Sequence, residues 1–131
     1  MALPEFFVIC ICRNVTFFAN QSHGLVKTPR YPRSYCANLN CNWTIQAGGS
    51  DEALRIHWDQ FRLHASDYLL IFYIENGARV AVEKFSGTYS GQLRDFITPK
   101  GVCVEFQFVS GGKAVGYPGF LLEYTRFKAG D

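Results

Sequence analysis

The sequence has little charge. Asp, Glu, Lys and Arg make up 18% of its 131 residues, against roughly 25% in an average globular chain. A net charge of +2 gives neither nucleic acid nor a membrane surface an electrostatic reason to bind. Long apolar runs are also missing. The longest, Phe6–Cys12 and Tyr68–Ile74, fall far short of the ~20 residues of a transmembrane helix, so no membrane insertion of this segment is expected. There is no stretch with helical periodicity and caps, no internal repeat, no low-complexity tract and no linker. What is abundant is aromatic: 12 Phe and 7 Tyr beside one Met, in a chain that is 48% apolar. Disorder, collagen and coiled coil are excluded. The length suits one domain, which at this size buries roughly two-thirds of the surface its unfolded form exposes.

The apolar residues recur with a period of two. Leu54, Ile56 and Trp58 alternate with Arg55 and His57, Val104, Phe106 and Phe108 with Glu105 and Gln107, and Phe120, Leu122 and Tyr124 with Leu121 and Glu123. Trp43 and Ile45 flank Thr44 in the same way. Tyr68–Ile74 is apolar on both faces, which predicts a central strand covered on both sides. Pro29, Pro32, Gly48-Gly49, Asn76-Gly77, Gly87, Gly91, Pro99, Gly111-Gly112 and Pro118-Gly119 separate the runs. Asn76-Gly77 predicts a hairpin, because both residues tolerate positive φ. Short strands, frequent turns and heavy aromatics indicate an all-β, two-sheet antiparallel sandwich.

Five cysteines, Cys10, Cys12, Cys36, Cys41 and Cys103, lack the paired knuckles and His partners of a zinc ribbon. Asn14-Val15-Thr16, Asn20-Gln21-Ser22 and Asn42-Trp43-Thr44 are N-glycosylation acceptors, and beside clustered cysteines they predict an extracellular location, secreted or in an ectodomain. A glycan on Asn42 must leave from the solvent side of its strand, which alternation permits if Trp43 faces in. Met1–Glu5 has no positive n-region and Phe6–Cys12 no small-residue cleavage site, so the expectation is a domain cut from a larger secreted or membrane-anchored parent.

In combination these residues resemble a CUB domain. Cys12 precedes Gly24-Leu25-Val26-Lys27-Thr28-Pro29-Arg30-Tyr31-Pro32-Arg33-Ser34-Tyr35, and Cys41-Asn42-Trp43-Thr44-Ile45 follows. Asp67-Tyr68-Leu69-Leu70-Ile71 fits the family's Asp-led strand, Phe85-Ser86-Gly87 its Phe-Cys-Gly step and Phe108-Val109-Ser110 a late strand end. Gly119-Phe120-Leu121-Leu122-Glu123-Tyr124 closes the pattern. The resemblance implies a jelly-roll-like sandwich over 12–126, with an N-terminal extension or cloning-derived segment over 1–11 and a tail over 127–131.

It also implies a disulfide between Cys12 and Cys41, closing a loop of about 30 residues worth roughly 3.6 kcal/mol in the chain-entropy account. The family's second disulfide is lost: the loop from Phe61 to Asp67 holds no cysteine and Ser86 stands at the partner position. Cys10 with Cys36 is the further pairing expected. Cys103 is then left over, either a buried, inert thiol, which is the preferred expectation, or an intermolecular link. Many CUB domains hold Ca²⁺ through three carboxylates, of which only Asp67 is matched here. The Glu position falls near His64, with Asp59 as a possible misaligned substitute, and the final Asp is replaced by Gly111. Since Ca²⁺ takes ~6–8 oxygen ligands, no metal and no other cofactor are expected, and Asp67 is read as a turn residue accepting backbone amides.

No hydrolase or phosphate-binding motif is present, and His57, on a polar strand face, and His64, in a loop beside Ser66 and Asp67, read as structural. An enzyme is not expected. The resemblance implies a protein-interaction module of an extracellular parent, binding a protein partner through loops or edges of the sandwich. The alternative is a calcium-independent glycan or heparin binder. For it, Lys27, Arg30 and Arg33 would come to one side of an extended segment, with Arg55, Arg62, Arg126 and Lys128 extending the patch.

Overall fold

The computed structural model describes residues 10, 12, 15–17, 23–46, 49–89, 93–112 and 116–129. Asn14 and Asn20 lie outside the described residues. Ten strands are described: β1 (Val15–Phe17), β2 (His23–Lys27), β3 (Asn40–Ile45), β4 (Glu52–Arg62), β5 (Tyr68–Glu75), β6 (Ala78–Ser86), β7 (Thr88–Tyr89), β8 (Phe96–Ile97), β9 (Cys103–Val109) and β10 (Gly119–Lys128). They form two sheets, one ordered β1-β3-β9-β5-β6 and the other β2-β10-β4-β7, with β8 also pairing β4. All pairs are antiparallel except the short β1–β3 pair, which is parallel.

Alternation turns the predicted residues inward. Trp43, Ile45, Leu54, Ile56, Trp58, Val104, Phe106, Phe108, Phe120, Leu122 and Tyr124 are all buried between the sheets. Trp58 stands at the centre, with the rings of Phe61, Phe85, Phe106 and Phe120 edge-on at 5.7–6.4 Å. Burying one such side chain is worth about 1.5–3 kcal/mol. Edge-to-face contact adds roughly 0.5–1.5 kcal/mol per pair. At Asn76 and Gly77 the chain takes φ of 52° and 79°, and β5 turns into β6 there.

Two further devices join distant segments. Cys12 is bonded to Cys41 and Cys10 to Cys36, with Cα separations of 4.9 and 6.0 Å. The fully buried Thr28 accepts from Phe120 N (3.3 Å) and donates to Pro118 O (3.2 Å), fixing the end of β2 against the start of β10. This contact requires glycine at 119, where φ is +96° and a Cβ would overlap the Thr28 side chain.

Two expectations are corrected. β5 lies between β9 and β6, but its outward residues Tyr68, Leu70, Phe72 and Ile74 are only half-buried, with no second layer over them among the described residues. Cations from β6 cover part of that face: the Arg79 guanidinium sits 3.9 Å from the Phe72 ring and the Lys84 ammonium 4.5 Å from that of Tyr68. Cys103, free as expected, is half-buried on the same outward face rather than buried.

Candidate functional site

Three places gather polar or apolar groups in patterns beyond what the sandwich needs. The first is the corner where the chain enters β5. Asp67 is fully buried. Its Oδ2 accepts the Tyr35 hydroxyl at 2.6 Å, and its Oδ1 accepts Gly111 N at 2.8 Å and the Ser66 hydroxyl at 3.0 Å. Tyr35 in turn accepts His64 N at 2.9 Å. Burial, then the hydrogen bond to Asp67, push the Tyr35 phenol well above its usual range, so it stays protonated and donating. His64 Nδ1 meets Ser66 Oγ at 2.8 Å, yet the carboxylate holds the serine and not the imidazole. A hydrolytic triad needs the acid on the far side of the histidine, and this chain of bonds runs the other way.

The second is the outer face of the β2-β10-β4 sheet. Arg55, His57 and Asp59 project from β4 and Glu123 from β10, where Glu123 pairs with His57 across the strands. Asp59 is the extra residue of a β-bulge, since Leu121 pairs with Gln60 and Leu122 with Trp58. His57 Nδ1 lies 2.7 Å from Asp95 Oδ1, and Arg55 donates to Asp95 Oδ2 through Nη2 at 2.9 Å and Nε at 3.2 Å. On the other side of the ring, Nε2 is 3.4 Å from Asp59 Oδ1. The hydrogen bond to Asp95 raises the His57 imidazole above its ordinary value, and the same bond, then Arg55, lowers Asp95.

The third is a groove of about 370 Å³ at the open edge of the sandwich. Ile71 and Tyr73 of β5, Val82 and Phe85 of β6, and Leu93 and Phe96 line it, with Glu83, Arg94 and Asp95 at the rim. On β6, Val82 at the groove and Val80 two residues before it stay 39% and 44% exposed. β6 is the outermost strand of its sheet, so its far edge has no strand partner among the described residues.

The predicted basic residues are not brought together as expected. Residues 28–33 form two overlapping turns, Tyr31 N to Thr28 O (3.1 Å) and Arg33 N to Arg30 O (2.7 Å), with Arg30 at φ +71°. The segment is not extended, so alternation does not align Lys27, Arg30 and Arg33, although all three are exposed. Arg30 donates to Cys36 Sγ at 3.3 Å. Arg55 is paired with Asp95, and Arg126 is 7% exposed with its guanidinium on Gln46 O, so neither extends a free patch. Asn42 is half-buried on the outward phase of β3 while Trp43 faces in.

The fold and the joined cysteines define a disulfide-clipped, two-sheet β-sandwich with its polar residues at one corner and on one face. The CUB domain family matches residues 12–124, and the chain belongs to that family. It is 30% identical over 114 residues to pig cubilin, covering 84% of this chain and 3% of that protein. It is 28% identical to mouse seizure protein 6, covering 93% of this chain and 12% of the relative. The human MASP-1/3 CUB1-EGF-CUB2 structure superposes with a TM-score of 0.71 at 18% identity, over 83% of this chain and 43% of that one.

The corner at Asp67 does not fit the calcium ion held by many members of the family. Ca²⁺ needs converging oxygen acceptors. Here two hydroxyls and an amide N–H converge on the one carboxylate, and Gly111 offers that N–H where the family's third carboxylate would stand. Asp59, the possible substitute, lies on the outer sheet face against His57. The outer-face cluster was beyond sequence reading because Asp95 arrives from the loop before β8. The signal that existed was His57 and Asp59 two apart on one strand, with Glu123 on the polar phase of another.

Proposed function

We propose that the chain is an extracellular, non-catalytic interaction module of a larger protein, taking a protein partner along the open edge beside β6. Joined cysteines and N-glycosylation acceptors support the oxidising, extracellular setting. Membership of the CUB family supports the module reading. The observation that carries the binding site is the edge groove. Val80 and Val82 remain exposed beside an apolar trough that opens into the core, and β6 offers an unpaired strand edge along it. Exposed apolar surface rimmed by charge is what protein partners bury. An extended partner segment could pair its main chain with β6 and place alternate apolar side chains in the trough.

The test places a photo-crosslinking residue at Val82 and, as a control, at Leu25 on the opposite sheet's outer face. Applied to cell surfaces, the Val82 probe captures a discrete protein, the Leu25 probe does not, and a chelator changes neither. Val80→Asp with Val82→Asp weakens capture by about tenfold or more. Equal capture from Leu25, or capture indifferent to the double substitution, rejects the edge.

A second reading, calcium-independent glycosaminoglycan binding, is supported by the exposure of Lys27, Arg30 and Arg33 at the end of β2 and its turn. It requires retention on heparin at low salt that is lost when the three are neutralised. Elution in the void volume removes it.

A further inference from the structure

We infer that His57, Asp59 and Glu123 form a site for a divalent transition-metal ion, Zn²⁺ being the ion it fits, on the outer face of the β2-β10-β4 sheet. One ligand atom from each lies within 4.8 Å of the others. Tetrahedral Zn²⁺ with bonds of about 2.0–2.2 Å holds its donors roughly 3.3 Å apart. His57 Nε2 and Asp59 Oδ1 already stand 3.4 Å apart. Rotation of the exposed Glu123 side chain closes the remaining distance.

Two features argue that this is more than a scatter of surface charges. Residues 57 and 59 share the outer face of β4 by period-two alternation, and Glu123 pairs with His57 across the strands on that face. Independently, Asp95 comes from a separate segment to hold His57 Nδ1 at 2.7 Å, and Arg55 fixes Asp95. A carboxylate on the far nitrogen of a ligating histidine sets its tautomer and aims Nε2 at the metal. The face is open, with a depression of about 870 Å³ extending over His57 and Glu123, so the fourth coordination position is left to water or to a partner's side chain. Imidazole with two carboxylates suits Zn²⁺ better than Ca²⁺, which prefers oxygen alone.

The ion takes the place of the proton on Nε2, while Nδ1–H keeps donating to the Asp95 carboxylate. Groups around His57 are Arg55 and Asp59 on its own strand, Glu123 and Arg126 on β10, Asp95 before β8, and His23 of β2 in the same depression. With His57 neutral, three carboxylates outnumber the two guanidinium groups of Arg55 and Arg126, a charge balance that favours a cation. Since metal and proton compete, affinity rises with pH.

The experiment is calorimetric titration of the whole chain with ZnCl₂, followed by histidine NMR. One ion binds per chain at about pH 7.5, and the His57 ring signals shift. His57→Gln and Glu123→Gln each weaken binding at least tenfold, while Glu123→Gln, in the presence of chelator, keeps the melting temperature of the unsubstituted protein. Asp95→Asn, which removes no ligand, weakens binding by roughly 10–100-fold. Lowering the pH to about 5.5 weakens it at least tenfold. Zn²⁺ affinity unchanged in His57→Gln places the ion elsewhere, at Cys103 or His64, and overturns the inference. So does the absence of binding at millimolar Zn²⁺, or equal affinity for Ca²⁺.

Discussion

Asp67 and Asp59 sit on either side of one loop and do opposite things. Asp67 is fully buried and both its oxygens are filled by donors from its own chain. Asp59 is exposed and leans on one edge of an imidazole, beside two more carboxylates. A buried carboxylate must be satisfied internally or cost several kcal/mol, so its neighbours become donors and it closes a corner. An exposed one is already satisfied by water, so its neighbours are free to be other acceptors, which together suit a cation. Burial decides which carboxylate is structural.

The largest test of that contrast removes the buried one. Asp67→Ala leaves Tyr35 OH and Gly111 N without their acceptor, and stability falls by about 3–5 kcal/mol in denaturant unfolding. Tyr35→Phe, losing one donor, costs about 1–3 kcal/mol. A fall below about 1 kcal/mol for Asp67→Ala would show that the corner is not held by this carboxylate.

Next comes an attempt to make the corner resemble the exposed face. A Cβ added at Gly111 would stand 3.6 Å from Asp67 Oδ1, so Gly111→Asp sets a second acceptor against the first. The uncompensated charge costs about 2 kcal/mol. Millimolar Ca²⁺ recovers that loss in the variant and leaves the melting temperature of the unsubstituted chain unmoved. An equal rise in both would show that the unaltered corner already accepts calcium.

Much of this architecture is legible in the residues alone, because period-two alternation reports the core face directly. The inward phase of Phe120, Leu122 and Tyr124 even forecasts the burial of Arg126, two residues further on, which a search for surface cations overrides. Asp67 is legible too, through the turn that precedes an apolar strand. Other features need the folded chain. Tyr68–Ile74 looks covered on both sides because sequence does not say that Arg79 and Lys84 lie over its outer aromatics. Pro29 and Pro32 indicate a strand end, but not that Arg30 adopts a positive φ and turns the cations out of line. The partner of His57 is hidden because Asp95, in the loop just before the two-residue strand β8, is brought against β4 by the pairing of β8 with β4, a contact between segments far apart in the chain.

The exposed face responds to pH where the corner does not depend on such a pair. The pKa of His57 is raised on folding, so its contribution is complete below the ordinary value of 6.5 and lost as pH rises through the folded value. Asp95 is lowered, so its contribution is present above the ordinary 3.8 and lost as pH falls through its own folded value. The pair therefore stabilises most between these two ordinary values. Asp95→Asn lowers the melting temperature more at about pH 5 than at about pH 8.5, and shifts the His57 titration downward by NMR. An equal loss at both pH values would mean that Asp95 acts through Arg55 alone.

The smallest effect is the most discriminating. Glu123→Gln sits on the exposed face, where surface charges contribute about 0–1 kcal/mol. Its unfolding midpoint in the presence of chelator should stay within about 0.5 kcal/mol of the unsubstituted chain. With Zn²⁺ added the two separate, because a ligand that binds only the folded state stabilises it by RT ln(1 + L/Kd), with L the free ligand concentration. The unsubstituted chain gains and the variant does not. A residue that moves stability only when the ion is present belongs to a site, and one that moves it always, like Asp67, belongs to the fold. If Glu123→Gln lowers stability by more than about 1 kcal/mol under chelator, the outer face is a structural network like the corner and the contrast between the two carboxylates collapses.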